Sequence, residues 1–179
     1  TSTFSPHSVE IELADVSPEA LSGWSAYPLG IAWSLGENGV DINVQRGFDV
    51  HIESDVPVGA GLSSSAAIEC AVAVALDESW RLGLDRSTLA RVGQLAENKA
   101  VGAPTGIMDQ SASLLGRRDS AVFLDCRSLH AEVVDLGFAA AGLERVVIDT
   151  KVSHAHAQAM GGYAARRASC EAGAIARGV

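Results

Sequence analysis

The sequence predicts an α+β or mixed α/β fold, and three observations carry that prediction. Apolar residues stand at every second position near residues 9–13 and 48–56. Apolar runs at helical spacing follow Ser22, Ser65 and Asp85. Strand-like and helix-like segments then alternate without a regular βαβ repeat. With 47% hydrophobic and 20% charged residues among 179, the chain can bury one good core, or one core and the start of another. A net charge of −9 opposes broad attraction to nucleic acid or anionic lipid, so a polyanionic ligand must be handled locally. The longest strongly apolar tract, residues 66–76, contains Glu69 and is too short to span a bilayer. The first residues carry neither the basic start nor the apolar run of a secretory signal. Cys70, Cys126 and Cys170 are odd in number and widely spaced, which reads as reduced thiols in a cytoplasmic protein.

Taken in order, Val9, Ile11 and Leu13 alternate with Glu10 and Glu12, predicting a strand over 9–13. Trp24, Tyr27, Ile31 and Leu35 predict a short helix with Pro28 in, or kinking, its first turn, ended by Gly36-Glu37-Asn38-Gly39. Phe48, Val50, Ile52 and Val56 alternate with Asp49, His51, Glu53 and Asp55. This second half-buried strand delivers the chain into Gly59-Ala60-Gly61-Leu62-Ser63-Ser64-Ser65. Gly59 and Gly61 let the backbone approach a ligand, and the serines set hydroxyls beside the unpaired N–H groups of a helix start. That is a place for an anion. It is equally a tight helix entry with an N-cap, and an exposed helix start favours a negative charge by only ~0.3–1 kcal/mol, so further cations must contribute. A Walker loop would need a lysine after the last glycine, and the nearest is Lys99; a dinucleotide fingerprint wants glycine at Ser64, and a hydrolase elbow wants it at Ser65.

The helix over 65–81 is apolar on most sides and is expected to be central to the core, with Gly83 stopping it and Asp85 capping the next. Leu89, Val92 and Leu95 give that next helix an inward stripe ending near Glu97. Residues 102–116 read as a turn feeding a helix, with Thr105 as its cap and Asp109 in its first turn. Three strands are expected over 121–125, 132–136 and 145–149, and a helix over 163–177. Asp109 alone is an ordinary helix-start acid, and Glu97 alone an ordinary solvated residue. Phosphoryl transfer to a hydroxyl, however, needs an anion cradle, oxygen ligands for Mg²⁺ and a carboxylate beside the attacking hydroxyl, and this chain offers all three. His154 and His156 have metal-like spacing but no third ligand; Lys151, Arg166 and Arg167 are candidate phosphate contacts, the arginines reading by default as a solvated helix face.

Two motifs together, Gly59-Ala60-Gly61-Leu62-Ser63-Ser64-Ser65-Ala66-Ala67 and Gly106-Ile107-Met108-Asp109-Gln110, resemble the galactokinases within the GHMP small-molecule kinases. Glu97-Asn98, Val101-Gly102 and Pro104, Leu124-Asp125-Cys126-Arg127-Ser128, Val147-Ile148-Asp149-Thr150 and Tyr163-Ala164-Ala165-Arg166-Arg167 extend the resemblance over most of the chain. It implies a GHMP-kinase-like N-terminal domain of the ribosomal protein S5 domain 2-like fold over 1–144. The opening of a second, ferredoxin-like α+β domain would occupy 145–179. It also implies ATP-dependent phosphorylation of the 1-hydroxyl of α-D-galactose. In that reading Gly59, Ala60, Gly61, Leu62, Ser63, Ser64 and Ser65 wrap the ATP phosphates, Ser65 and Glu97 hold Mg²⁺, and Asp109 is the catalytic carboxylate. Gly106, Asp109 and Tyr163 line the sugar pocket. A non-catalytic sugar and nucleotide sensor, or a GHMP kinase for another sugar, are the alternatives.

The departures are specific. Nothing in residues 1–60 resembles the family's N-terminal signature, Gly-Arg-x-Asn-Leu-Ile-Gly-Glu-His-x-Asp-Tyr, and its glycine-rich third motif is also absent. The chain is therefore expected to be an internal fragment, the remainder of the same protein its partner, with little turnover by itself. Ala100 replaces a usual phenylalanine, which is expected to loosen packing behind Glu97, and the segment 157–162 is longer than usual and lacks an acid.

Overall fold

A helix that is apolar on most sides must be enclosed, and α2 (Ser64–Trp80) packs against α1 (Ala26–Glu37), α3 (Arg86–Ala96) and α4 (Met108–Leu115). The computed structural model describes residues 1–148 and 160–178, the side chains of 160–164 excepted. Ile31 and Leu35 of α1, Val72, Leu76 and Trp80 of α2, and Leu89 and Val92 of α3 form the core. At the α1–α3 contact the Ser34 hydroxyl donates to the Val92 carbonyl at 2.8 Å, so its burial leaves no polar atom orphaned. None of the described helices is long and apolar enough to cross a membrane.

The predicted helices form, with corrections at their ends. Pro28 lies in the first turn of α1, where its missing N–H costs nothing. Asp85 caps α3, accepting from the Thr88 amide at 2.8 Å. Gly83, however, is not what stops α2. Arg81 already turns left-handed (φ 56), and the Leu82 amide closes the end on the Asp77 carbonyl at 3.0 Å. Ala100 does not loosen its surroundings: it is buried with Val16, Leu21 and Ala26, and α1 has closed onto it at a glycine. A Cβ built on Gly30 would stand 2.8 Å from the Ala100 Cβ. The helix expected over 163–177 is α5 (Met160–Arg177), where exposed Arg167 donates to Glu171 and to the Pro104 carbonyl, both at 3.0 Å.

The sheet is smaller than predicted. β1 (Ser120–Leu124) and β2 (Ala131–Asp135) pair antiparallel, with Ser120 opposite Asp135 and Leu124 opposite Ala131. Residues 145–148 are in no strand, and Asp149 lies outside the described residues, as do Lys151, His154 and His156. The strand expected over 9–13 is absent, replaced by a single 3₁₀ turn at Leu13–Asp15. The segment 48–56 has the burial alternation predicted for it, odd-numbered side chains exposed and Ile52 buried, yet its pairing is confined to one bridge between Ser2 and Ile52. The reason is that alternation chooses faces, whereas a ladder also needs an adjacent chain edge. Phe48 turns inward onto Trp80, ring centroids 5.9 Å apart, and no strand lies beside it among the described residues.

Candidate functional site

The serine loop enters α2 through alternating backbone hands. Gly59 (φ 73), Gly61 (φ 76) and Ser63 (φ 54) are left-handed, and Ala60 and Leu62 between them are not. Such alternation turns successive N–H groups toward one side of the loop, the geometry that makes a concavity for an anion. Ser63 is the informative residue, because a non-glycine in this region carries strain of about 1 kcal/mol or more. Its hydroxyl does not cap α2, and among the described residues neither it nor those of Ser64 and Ser65 has a protein hydrogen-bond partner. The loop is thus a tight helix entry whose serines make no side-chain cap.

Across from the loop stands the first turn of α4. Asp109 is half-buried, with no hydrogen bond among the described residues. It shares a cleft of about 360 Å³ with Gly61, Leu62, Ser63, Ala66, Ala67, Ala112 and Ser113. The small side chains of α2 and α4 leave this space open. One wall is the glycine-serine loop and the other a carboxylate without a hydrogen bond among the described residues, an arrangement that can bring a hydroxyl up to a phosphate.

Behind α4 the polar groups are paired. Glu97 is buried, and its Oε2 accepts from Thr105 Oγ1 at 2.6 Å and from Gln110 Nε2 at 2.9 Å. Thr105 thus does not cap α4 as expected; its hydroxyl is committed to Glu97, and buried Ile107 occupies the N-cap position without a side-chain bond. A π-turn, Glu97–Val101, presents this carboxyl: the Gly102 amide returns to the Glu97 carbonyl five residues back, and Gly102 (φ 80) then ends the helix. Gln110 Nε2 also donates to Glu69 Oε2 at 3.0 Å. Burial pushes the Glu69 carboxyl up to about 9, with Glu97 and then Asp109 adding to the effect against the opposing Gln110 hydrogen bond. Burial likewise raises the Tyr27 hydroxyl, helped by Glu97 and Glu69, and carries the Cys70 thiol up to about 11, which leaves it unreactive.

Of the residues singled out in the sequence, Gly61, Leu62, Ser63 and Asp109 line the cleft. Gly59, Ala60, Ser64 and Ser65 belong to the same loop and helix start without lining it, and Glu97 sits in the buried network. Gly106 is exposed, with open space where a Cβ would stand. Tyr163 falls in α5, and its side chain lies outside the described residues. Sequence reasoning missed Gln110 as the partner of Glu97, and Glu69 as the second partner of Gln110. A single carboxylate inside the apolar tract 66–76 was the available signal, because such a group is buried only with a partner or a proton.

For Mg²⁺ the fit is tested by what is left free. Glu97 Oε1 takes no hydrogen bond among the described residues, and neither does the half-buried Ser65 hydroxyl. No group of three or more His, Cys, Asp or Glu able to hold a metal occurs among the described residues. A hydroxyl and one carboxylate, completed by water and phosphate oxygens, suit Mg²⁺, which rarely takes an all-protein cage.

Comparison with known proteins assigns the family. The chain is 47% identical to a galactokinase of Streptomyces coelicolor over 171 residues, covering 96% of this chain and 43% of the relative. It is 39% identical to a galactokinase of Mycobacterium tuberculosis, covering 92% of this chain and 44% of the relative. The chain thus spans less than half the length of these relatives. The crystal structure of Lactococcus lactis galactokinase complexed with galactose superposes with a TM-score of 0.63 at 36% identity, covering 68% of this chain and 31% of that one. Residues 26–117, which run from α1 through the serine loop to the end of α4, match the GHMP kinases N terminal domain, and the chain belongs to that family.

Proposed function

We propose that this chain carries the phosphate-binding loop and the acid of a cytoplasmic galactokinase, which transfers the terminal phosphoryl group of ATP to the 1-hydroxyl of α-D-galactose. The observation that carries the reading is the shared cleft: Asp109 and the serine loop face the same space. The similarity to galactokinases, one of them solved with galactose, favours that sugar. Gly59 to Ser65 bind the ATP phosphates through backbone N–H groups and free hydroxyls. Asp109 accepts the hydrogen bond of the sugar 1-hydroxyl and aims its oxygen at the γ-phosphorus. The new O–P bond forms as the bond from that phosphorus to the β–γ bridging oxygen breaks, ADP leaves, and the hydroxyl proton passes to Asp109 or to solvent. Since the transfer is largely dissociative, Asp109 contributes chiefly orientation and charge stabilisation. Ser65 and Glu97 would hold Mg²⁺, which would offset the negative charge of the phosphates. Gly106 and Tyr163 border the sugar. Residues 1–144 form the phosphate-binding domain and 145–179 open the second.

The activity belongs to a protein of the relatives' full length carrying this segment. Labelled ATP, Mg²⁺ and a panel of sugars test it: galactose 1-phosphate is expected from that protein, and little or none from the 179 residues alone. Phosphorylation of another sugar in preference to galactose, or none of any sugar, would overturn the assignment. Robust turnover by the 179 residues alone would overturn the claim that they are insufficient.

A further inference from the structure

Gln110 follows Asp109 in α4, has no exposed surface, and takes no part in the proposed phosphoryl transfer itself. Its amide nitrogen bears two hydrogens and meets two carboxyl oxygens, Glu69 Oε2 from α2 at 3.0 Å and Glu97 Oε2 from the π-turn at 2.9 Å. Both hydrogens are used. Room for the side chain is made on α3, where a Cβ on Gly93 would stand 3.0 Å from Gln110 Cγ. We propose that Gln110 is a positioning residue: anchored on Glu69, its amide holds the Glu97 carboxyl in one orientation and ties it to the helix that carries Asp109. The inference rests on the reading of Glu97 as a Mg²⁺ ligand.

Two orphaned atoms support the anchor. The buried side-chain oxygens without partners among the described residues are Glu69 Oε1 and Gln110 Oε1, which belong to the very pair already sharing one hydrogen bond. Two unpaired acceptors there would cost the full desolvation of each. A carboxylic acid and a carboxamide instead satisfy one another through two parallel bonds, N–H to one oxygen and O–H back to the other. A proton shared between Glu69 Oε1 and Gln110 Oε1 would supply that second bond and satisfy both oxygens. Glu97 and Asp109 are the charged groups that bear on Glu69, and Tyr27 and Cys70 are the neutral titratable groups beside it. Glu97 Oε2 is braced from two sides, by the Thr105 hydroxyl and the Gln110 amide.

The test compares Gln110→Met and Glu69→Gln with the unaltered full-length protein. Readouts are kcat, KM for galactose, the Mg²⁺ needed for half-maximal rate, and calorimetry of ADP binding with and without Mg²⁺. Gln110→Met keeps the volume and removes both donors. It should lower kcat by about 10- to 100-fold, the usual cost of losing a partner that orients a metal ligand. The Mg²⁺ requirement should rise and the Mg²⁺-dependent part of ADP binding should weaken, with KM for galactose nearly unchanged. Glu69→Gln keeps a double hydrogen bond to Gln110 and should stay near the unaltered protein in all four. Unchanged kcat and Mg²⁺ dependence in Gln110→Met, with or without a lower melting temperature, would overturn the proposal. So would a Glu69→Gln loss as large as that of Gln110→Met. If Gln110→Met does not fold, Gln110→Glu, which replaces the donors by an acceptor, must show the same losses. An unaltered protein that phosphorylates no galactose sinks the kinase reading instead, and the calorimetry still decides whether Gln110 governs cation binding.

Discussion

The two ends of the first turns of α2 treat polar groups in opposite ways. At the entry, Ser63, Ser64 and Ser65 present hydroxyls that no group among the described residues engages, on a backbone held left-handed at Ser63. Along the same helix at Glu69 the carboxyl is fully enclosed and bonded to Gln110, which is bonded to Glu97. The contrast separates groups available to a ligand from groups already engaged within the protein. At the entry the polar side chains have no protein partner among the described residues, while those of the Glu69–Gln110–Glu97 chain are buried and hydrogen-bonded to one another.

The contrast is broken most directly at Asp109. In the full-length protein, Asp109→Ala should reduce galactose phosphorylation by about 10²–10⁴-fold, with unfolding free energy changed by no more than about 0.5 kcal/mol; near-normal turnover would remove the acid from the reaction. The buried side is tested next, through pH. The Glu69 carboxyl is raised from about 4.5 when unfolded to about 9 when folded, so the folded state holds the extra proton between those values. Stability from this group is present in full below about pH 4.5 and is lost as pH rises toward 9, by roughly a few kcal/mol across the window. Chemical denaturation at pH 5, 7 and 9 should show the decline, and Glu69→Gln should flatten it. Gly61→Val comes third, placing a branched side chain at φ 76 with open space around it. Strain of about 1–2 kcal/mol is expected, with a disproportionate loss of ATP affinity by calorimetry. Asp85→Ala, remote from both regions, should cost about 1 kcal/mol through the lost cap and leave nucleotide binding unchanged.

The four helices were legible because their apolar spacing, the Asp85 cap and the Gly36–Gly39 stop all act within one segment. The sheet was not, since the alternation of Phe48, Val50 and Ile52 correctly reports which side chains turn inward but says nothing of a neighbouring edge. The same distinction divides the site. Ser63 and Asp109 lie in loops and helix starts whose local chemistry is conspicuous. The bonds joining Glu69 to Gln110 and Gln110 to Glu97 cross between helices, and their partners are 41 and 13 residues apart in sequence. Thr105 was misread for the same reason: a hydroxyl before a helix fits a cap locally, and only the tertiary fold brings Glu97 within its reach.

The widened turn at Glu97–Val101 sets a limit on how this protein can be improved. One extra residue in a turn shifts the phase of everything after it by about 100°. Deleting a residue there would restore helical regularity and swing Gly102, Thr105 and the approach to α4 out of alignment with Glu97. A sturdier α3 and a correctly aimed Glu97 are competing outcomes of the same five positions, so a thermostability screen that rewards ideal helices should be expected to erode the chemistry there.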